Sequence, residues 1–527
     1  MPASSAGNHR PLSVYPYSIE RLCELFARCA GTTPATIDGK LHRYYFEEYF
    51  EHLNAKTIVV EHSYTDRHFL EDYAGYYVRC FGKEHSKYKS RCWRLHFFHL
   101  TFDEDGFRRA VLGLPDALTE DQLNKAYLGF IVVKPLPKTF IGRTCLAVYR
   151  DDHRRHYPIT HRQVAHLAGF RLKVESLAFQ EQDKVAAACA TSALWSLFQQ
   201  TGMLFQHHVP SPLEITRTAT QVRAPILGRD VPSAGLTVVQ MAAAIKSVGL
   251  EPEIVNVQPR PLNEAETPSV PSPASLQAIT YAYLKAGIPV MLVAALYDRS
   301  PPAIEEHNAP QFVAGHAVTL TGYRTGADRC IPSGEAGTLF TSSRIDRLYV
   351  HDDQVGPFAR LTLDAPPLRF PGTDKDDIRF ALGSSFRGKD GRSGSVVFAP
   401  ETLILPLYHK VRIPADVIRQ QVLLIDDGFE TARQRNPGVL TERLEWDVFL
   451  TTENRFKEDL RADSSLLPDE RYALLEEAFP RFIWRAIALH AGTRLLEILF
   501  DATDIEQGDY VLHHIVYDRE RVNGLFA

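Results

Sequence analysis

Three short stretches of this chain carry residue types that together activate a nucleophile. The first is Ala186-Ala187-Ala188-Cys189-Ala190-Thr191-Ser192-Ala193-Leu194-Trp195, a cysteine among small residues at the head of a helix-compatible apolar run. A thiol at a helix N-terminus lies near the positive end of the helix dipole, which favours thiolate, and small neighbours let a substrate backbone approach. The second is Gly315-His316-Ala317-Val318-Thr319-Leu320-Thr321-Gly322-Tyr323, a histidine opening a strand-compatible run. The third is Leu348-Tyr349-Val350-His351-Asp352-Asp353, a strand that ends in carboxylates. Side chains alternate along a strand. His316 therefore shares a face with Val318 and Leu320, and Asp352 shares one with Val350 and Leu348. Polar groups at the ends of apolar faces need partners, and on adjacent antiparallel strands each supplies the other. In such a set the imidazole takes the thiol proton and the carboxylate fixes the imidazole's tautomer. An oxyanion donor completes the chemistry. A cysteine in an alanine-rich helix alone is ordinary core packing; the ordered histidine and aspartate downstream set Cys189 apart.

The elements that must position these groups are legible in outline. Residues 1–175 form an N-terminal α/β region, with a helix over Tyr17–Cys29 and strands over Lys56–Val60 and Ala126–Lys134. A break follows at Leu136-Pro137-Lys138, because proline removes a ladder donor. Residues 176–400 form a central domain. It has helices over Lys184–Gln200, Val238–Val248 (closed by Gly249) and Leu276–Lys285, and strands over Ile288–Leu296, His316–Tyr323 and Arg347–Asp352. The proline-rich Pro259–Ser275 reads as an exposed loop or insertion. Residues 401–527 form a C-terminal α/β region with strands over Trp446–Leu450 and Arg494–Phe500 and a helix from Pro468 to Ala478, either a separate unit or packed with the N-terminal region.

The order and wording of the three stretches resemble papain-like cysteine peptidases, most closely the bacterial branch that removes double-glycine leader peptides from bacteriocins. That branch has a cysteine opening an alanine- and leucine-rich helix, a segment like Ala286-Gly287-Ile288-Pro289-Val290, a Gly-His-strand-Gly-Tyr segment and a Tyr-Val-x-Asp strand end. The resemblance covers about residues 176–360. It implies an α+β fold in which a helix carrying Cys189 packs on an antiparallel sheet carrying His316 and Asp352. It makes Cys189 the nucleophile, His316 the general base and acid, and Asp352 the orienting carboxylate. The branch's oxyanion glutamine lies six residues before the cysteine, where this chain has Asp183, so the role falls on Gln182, with Gln180 the next candidate. Ala190 follows the cysteine where the branch has glycine. Asp353 follows Asp352 where the branch often has proline, so a one-residue shift exchanges the two carboxylates. The implied activity is hydrolysis of a peptide or isopeptide bond in a protein or peptide substrate, without cofactor or metal. A Cys-His-Asp acyltransferase of the transglutaminase kind and a catalytically silent papain-fold binding module are the alternatives. The flanking regions, too large to be caps, are expected to restrict access or recognise a partner protein.

Composition narrows the field. At 527 residues the length suits about three domains of roughly 100–200 residues each. Lysine and arginine number 59 against 64 acidic residues, a net charge of −5 that gives no support to nucleic-acid binding. The basic cluster His153-Arg154-Arg155-His156 reads as a solvated loop. Seven cysteines with no C-x-x-C pair indicate neither a zinc site nor a disulfide framework, and fit a reducing, cytoplasmic compartment. The first residues, MPASSAGNHRPLSVYPYS, lack a secretory pattern, and the longest apolar runs fall well short of the roughly 20 residues that span a bilayer. Gly383 to Lys389 has phosphate-loop spacing, but Asp390 stands where Ser or Thr must hold Mg²⁺. His351-Asp352-Asp353, His207-His208 and His513-His514 have no zinc-type spacing. No G-x-S-x-G is present, so a serine-hydrolase elbow is unsupported.

Overall fold

The computed structural model describes residues 11–526 apart from 82–86, 150–152, 184–187, 223–234, 259–271, 301–309, 327, 334–336, 371–376, 387–392 and 504–509. Helices and mostly antiparallel sheets are mixed along the whole chain, an α+β architecture.

The first sheet has five antiparallel strands in the order Leu12–Pro16, Thr57–Tyr64, Cys92–Phe98, Tyr127–Val133 and Ile141–Leu146. The helix Ile19–Ala30 buries Leu22, Leu25 and Phe26 in its core. Ser18 caps this helix by accepting from the Arg21 backbone N–H, and Gly31 ends it at φ 66°, where glycine carries no steric cost. A second helix, Leu41–His52, buries Tyr45, Phe46, Tyr49 and Phe50.

In the central sheet the strand Val290–Asp298 pairs with Gln311–Thr325 on one side and Val396–Leu407 on the other. From Gln311–Thr325 the pairing runs through Ile345–Asp352, Gly356–Thr362 and Leu382–Gly383 back to Val396–Leu407, so the path closes on itself. The helix Cys189–Phe205 packs on Gln311–Thr325, where the Thr319 hydroxyl donates to the Ala193 carbonyl at 2.7 Å. Most of its side chains are buried, as expected for a helix apolar all round.

The third sheet runs Pro332–Ser333, Thr338–Phe340, Glu445–Thr452, Phe482–His490, Thr493–Asp501 and Val511–Val516. Among the described residues its Thr338–Phe340 and Glu445–Thr452 form the one parallel pair. A single hydrophobic cluster contains Phe46 and Tyr49, Leu284 and Val318, and Trp446 and Trp484, so all three stretches of the chain share one core.

Helices and strands arise where the sequence pattern places them: Val238–Ser247 with a Thr237/Gln240 capping box, Ala274–Lys285, Ile345–Asp352, Glu445–Thr452, Pro468–Glu476 and Thr493–Asp501. Two details differ. The helix expected from Lys184 begins at Cys189, residues 184–187 lying outside the described set. Arg155–His156 is not a solvated loop; it pairs with Tyr323 and Arg324 on the His316 strand. Gly322 permits this, since a Cβ there would lie 2.3 Å from the His156 carbonyl oxygen. Gly383 lies in a short strand held between two antiparallel partners, and residues 387–392 of that glycine-rich segment are outside the described set. So are residues 259–271 of the proline-rich loop. Among the described residues, no helix is long and apolar enough to cross a membrane.

Candidate active site

Cys189 is the first residue of its helix. Ala188 precedes it in extended conformation (φ −95°, ψ 173°) and offers no side-chain cap. The first-turn N–H groups, which lack intrahelical acceptors, therefore have no capping oxygen from the preceding residue. The thiol is half-buried and lies close enough to the His316 imidazole to help raise its pKa.

His316 and the carboxylates meet where two strands part. Among the described residues, Gln311–Val318 pairs only with Val290–Asp298, and the Ile345–Asp352 strand joins from Thr319 onward. A register break lies between Val350 and Asp352, the kind of irregularity that re-aims side chains near functional sites. Asp352 Oδ1 lies 3.2 Å from His316 Nε2 and also accepts from the Gln354 backbone N–H at 3.0 Å. With Nε2 facing Asp352, Nδ1 is left for the Cys189 thiol. Phe386 and Phe398 pack edge-on against the imidazole, with ring centroids 5.9 and 5.7 Å away.

Burial alone would disfavour the imidazolium, but Asp352, by charge and hydrogen bond, with help from Cys189 and Asp353, raises the His316 pKa well above the ordinary histidine range. An imidazolium beside a thiol is the partner a thiolate needs. Asp353 is buried, with its Oδ1 4.0 Å from His316 Nε2. Among the described residues, no other residue hydrogen-bonds either of its oxygens. Burial, opposed by the His316 charge and reinforced by Asp352 and Glu181, pushes its pKa up to about 7. Neighbouring His351 points away: Nε2 donates to the Leu177 carbonyl at 3.0 Å and Nδ1 accepts from the Phe358 N–H at 3.2 Å. Burial drives its pKa down to about 3, so it is neutral.

The glutamines separate. Gln180 is buried and its Nε2 has no hydrogen-bond partner among the described residues, while Gln182 is only half-buried. Between them Glu181 pairs with Lys40 and accepts from the Ile141 N–H at 3.1 Å, and Asp183 accepts from the Tyr77 hydroxyl at 2.6 Å.

Those contacts bring in residues that the sequence pattern does not single out. Lys40 is at the head of the helix Leu41–His52, and His42 in that helix hydrogen-bonds the Asp353 backbone. The Tyr45 hydroxyl donates to the Pro357 carbonyl at the start of the strand that follows the carboxylate turn. On the other wall, Trp195 Nε1 donates to His68 Nδ1 at 2.7 Å, and Asp72 accepts from the Leu213 N–H at 3.0 Å. The N-terminal stretch thus braces both the nucleophile helix and the carboxylate turn. Contacts between residues so far apart in the chain leave no local signature in sequence. The strand leaving the turn is conformationally demanding at its start: Phe358 adopts φ 56°, uncommon for a bulky residue, and Gly356 has φ 155°. A Cβ at Gly356 would sit 2.3 Å from the Tyr45 ring. Gly356→Ala is therefore expected to destabilise the protein by about 1–3 kcal/mol through overpacking, measured by denaturant unfolding, and to lower turnover with it. An unchanged midpoint would show that Tyr45 does not brace this turn.

No protein-family model matches this chain, and no curated protein matches it.

Proposed function

We propose that the protein is a cysteine hydrolase that cleaves a peptide or isopeptide bond through an acyl-enzyme on Cys189, within a papain-like central unit. The observation that carries this reading is the continuous chain Cys189 thiol, His316 imidazole and Asp352 carboxylate, with the thiol at an uncapped helix N-terminus. Cys189 Sγ attacks the carbonyl carbon, and His316 delivers a proton to the leaving amine. Water, deprotonated by His316, then releases the acyl group and restores the thiol. The seven cysteines are all free thiols, which supports a reducing compartment such as the cytoplasm.

For the oxyanion, the Cys189 backbone N–H and a glutamine amide are the donors. The unpartnered, buried Gln180 amide favours Gln180 over Gln182, because buried donors are otherwise satisfied. Gln180→Ala is expected to lower kcat by about 10²–10³ with little change in KM, whereas Gln182→Ala leaves kcat near wild type. Steady-state kinetics on both variants decides between them; the reverse ranking would assign the role to Gln182.

The test of the whole reading is mass spectrometry of the chain after exposure to a peptide library. A thioester on Cys189 that water discharges supports hydrolysis. Amine-linked products in its place would make the enzyme an acyltransferase. No adduct, with Cys189 no more reactive than the other six cysteines, would leave a binding module.

A further inference from the structure

We propose that His316, Asp352 and Asp353 form a binding site for a divalent first-row transition ion, and that the bound ion blocks turnover by occupying His316. The second half of this rests on the function proposed above; the binding itself does not. Among the described residues these three are the one group of histidine, cysteine and acidic side chains whose ligand atoms converge, all lying within 4.8 Å of one another. His316 Nε2 stands 3.2 Å from Asp352 Oδ1 and 4.0 Å from Asp353 Oδ1. Ligands held about 2.0–2.2 Å from a tetrahedral ion are themselves separated by about 3.3–3.6 Å, so small side-chain shifts suffice.

The independent pointer is Asp353. It is only 3% exposed, both oxygens are buried, and among the described residues no other one donates to either of them. A buried carboxylate in that state requires a proton or a cation. The local charge agrees, since two carboxylates face one imidazolium while the adjacent Glu181 is already balanced by Lys40. One imidazole nitrogen with two carboxylate oxygens suits Zn²⁺, Mn²⁺, Fe²⁺ or Co²⁺, whereas Mg²⁺ and Ca²⁺ prefer oxygen throughout. The sequence showed no metal spacing because the ligands come from two different strands.

The effect on turnover follows from the nitrogen used. The ion displaces the proton from His316 Nε2 to solvent and leaves the other ring proton on Nδ1. A metal-bound imidazole is a weaker acid toward the leaving amine than the imidazolium, and with Nδ1 protonated it has no lone pair to deprotonate the hydrolytic water. Cys189 is not a ligand, which separates this site from adventitious binding of zinc to a thiol.

Calorimetry of the full chain with Zn²⁺ alone tests the proposal. One ion per chain is expected, bound equally by Cys189→Ala and about 10–100-fold more weakly by Asp353→Asn, with Mg²⁺ failing to compete. Zn²⁺ should also slow hydrolysis of the peptide library by the wild type, and should do so only at about 10–100-fold higher concentration in Asp353→Asn. Should Asp353→Asn misfold, Co²⁺ in the wild type serves instead, giving ligand-field absorption without a thiolate-to-cobalt charge-transfer band. Loss of binding in Cys189→Ala, undiminished binding in a folded Asp353→Asn, or a thiolate band would overturn the site. Zinc binding as described with an inert Cys189 would overturn the hydrolase reading and leave the site standing. A fast-reacting Cys189 with no zinc binding would do the opposite.

Discussion

Iodoacetamide near neutral pH should alkylate Cys189 well ahead of the other thiols, and His316→Ala should abolish that preference while lowering turnover by about 10²–10⁴. Five of the six competing thiols are held back by their surroundings. Burial pushes Cys23 and Cys330 up to about 11 and Cys29 up to about 12, and raises Cys92 and Cys145 as well. Cys189 instead is half-buried at a helix start and close to an imidazole whose cationic form Asp352 supports. Removing the imidazole removes the proton acceptor and the counter-charge together. Because His316 is buried, truncation leaves a cavity, so His316→Gln and a thermal melt accompany the alanine variant to separate chemistry from unfolding. Asp352→Asn makes a graded version of the same experiment. With the main charge that raises His316 gone, the imidazolium gives up its proton at lower pH, and the alkaline limb of the pH–rate profile moves down. Peptide mapping after alkylation, read against pH, checks both. Equal labelling of Cys189 in wild type and His316→Ala would end the thiolate-pair interpretation.

The second large effect concerns stability. Asp353 has a folded-state pKa of about 7 against 3.8 for an ordinary aspartate. Between those values the folded protein holds a proton that the unfolded chain has released. Its contribution to stability is fully present below the unfolded value and is lost as pH rises from about 4 through 7. Asn at this position carries no charge to desolvate. The stability of Asp353→Asn relative to wild type should therefore improve by roughly 2–4 kcal/mol between pH 4 and pH 8, since each pH unit between the folded and unfolded pKa contributes about 1.4 kcal/mol. Denaturant titrations at several pH values in the presence of a chelator measure it. Parallel curves for the two proteins would mean that Asp353 is ionised without cost. The same residue thus links the resting charge of the site, its stability and its affinity for a cation.

Much of the candidate site is legible in the sequence alone. Cys189 heads a helix because small and apolar residues follow it without a break. His316 and Asp352 lie on strands because β-branched and aromatic residues surround them. Those are local properties of propensity and pattern, carried by neighbouring residues. The choice between Gln182 and Gln180 is not of that kind, since position relative to Cys189 does not say which amide is buried without a partner.

What the linear pattern does not contain is everything set by contacts distant along the chain. That Arg155–His156 forms a strand, that Thr338–Phe340 joins the sheet of residues 445–516, and that Lys40, His42 and Tyr45 brace the carboxylate turn all depend on one shared core. So do the charges. The sequence by itself determined which groups are present, their order and the elements that carry them, because backbone preference and side-chain periodicity act between near neighbours. Only the tertiary structure decided that Asp352 holds His316 while Asp353 lies beside it without a hydrogen bond from any other described residue. Protonation, partner choice and affinity for a cation are set by burial and by charges a few ångströms away in space, whatever their separation along the chain.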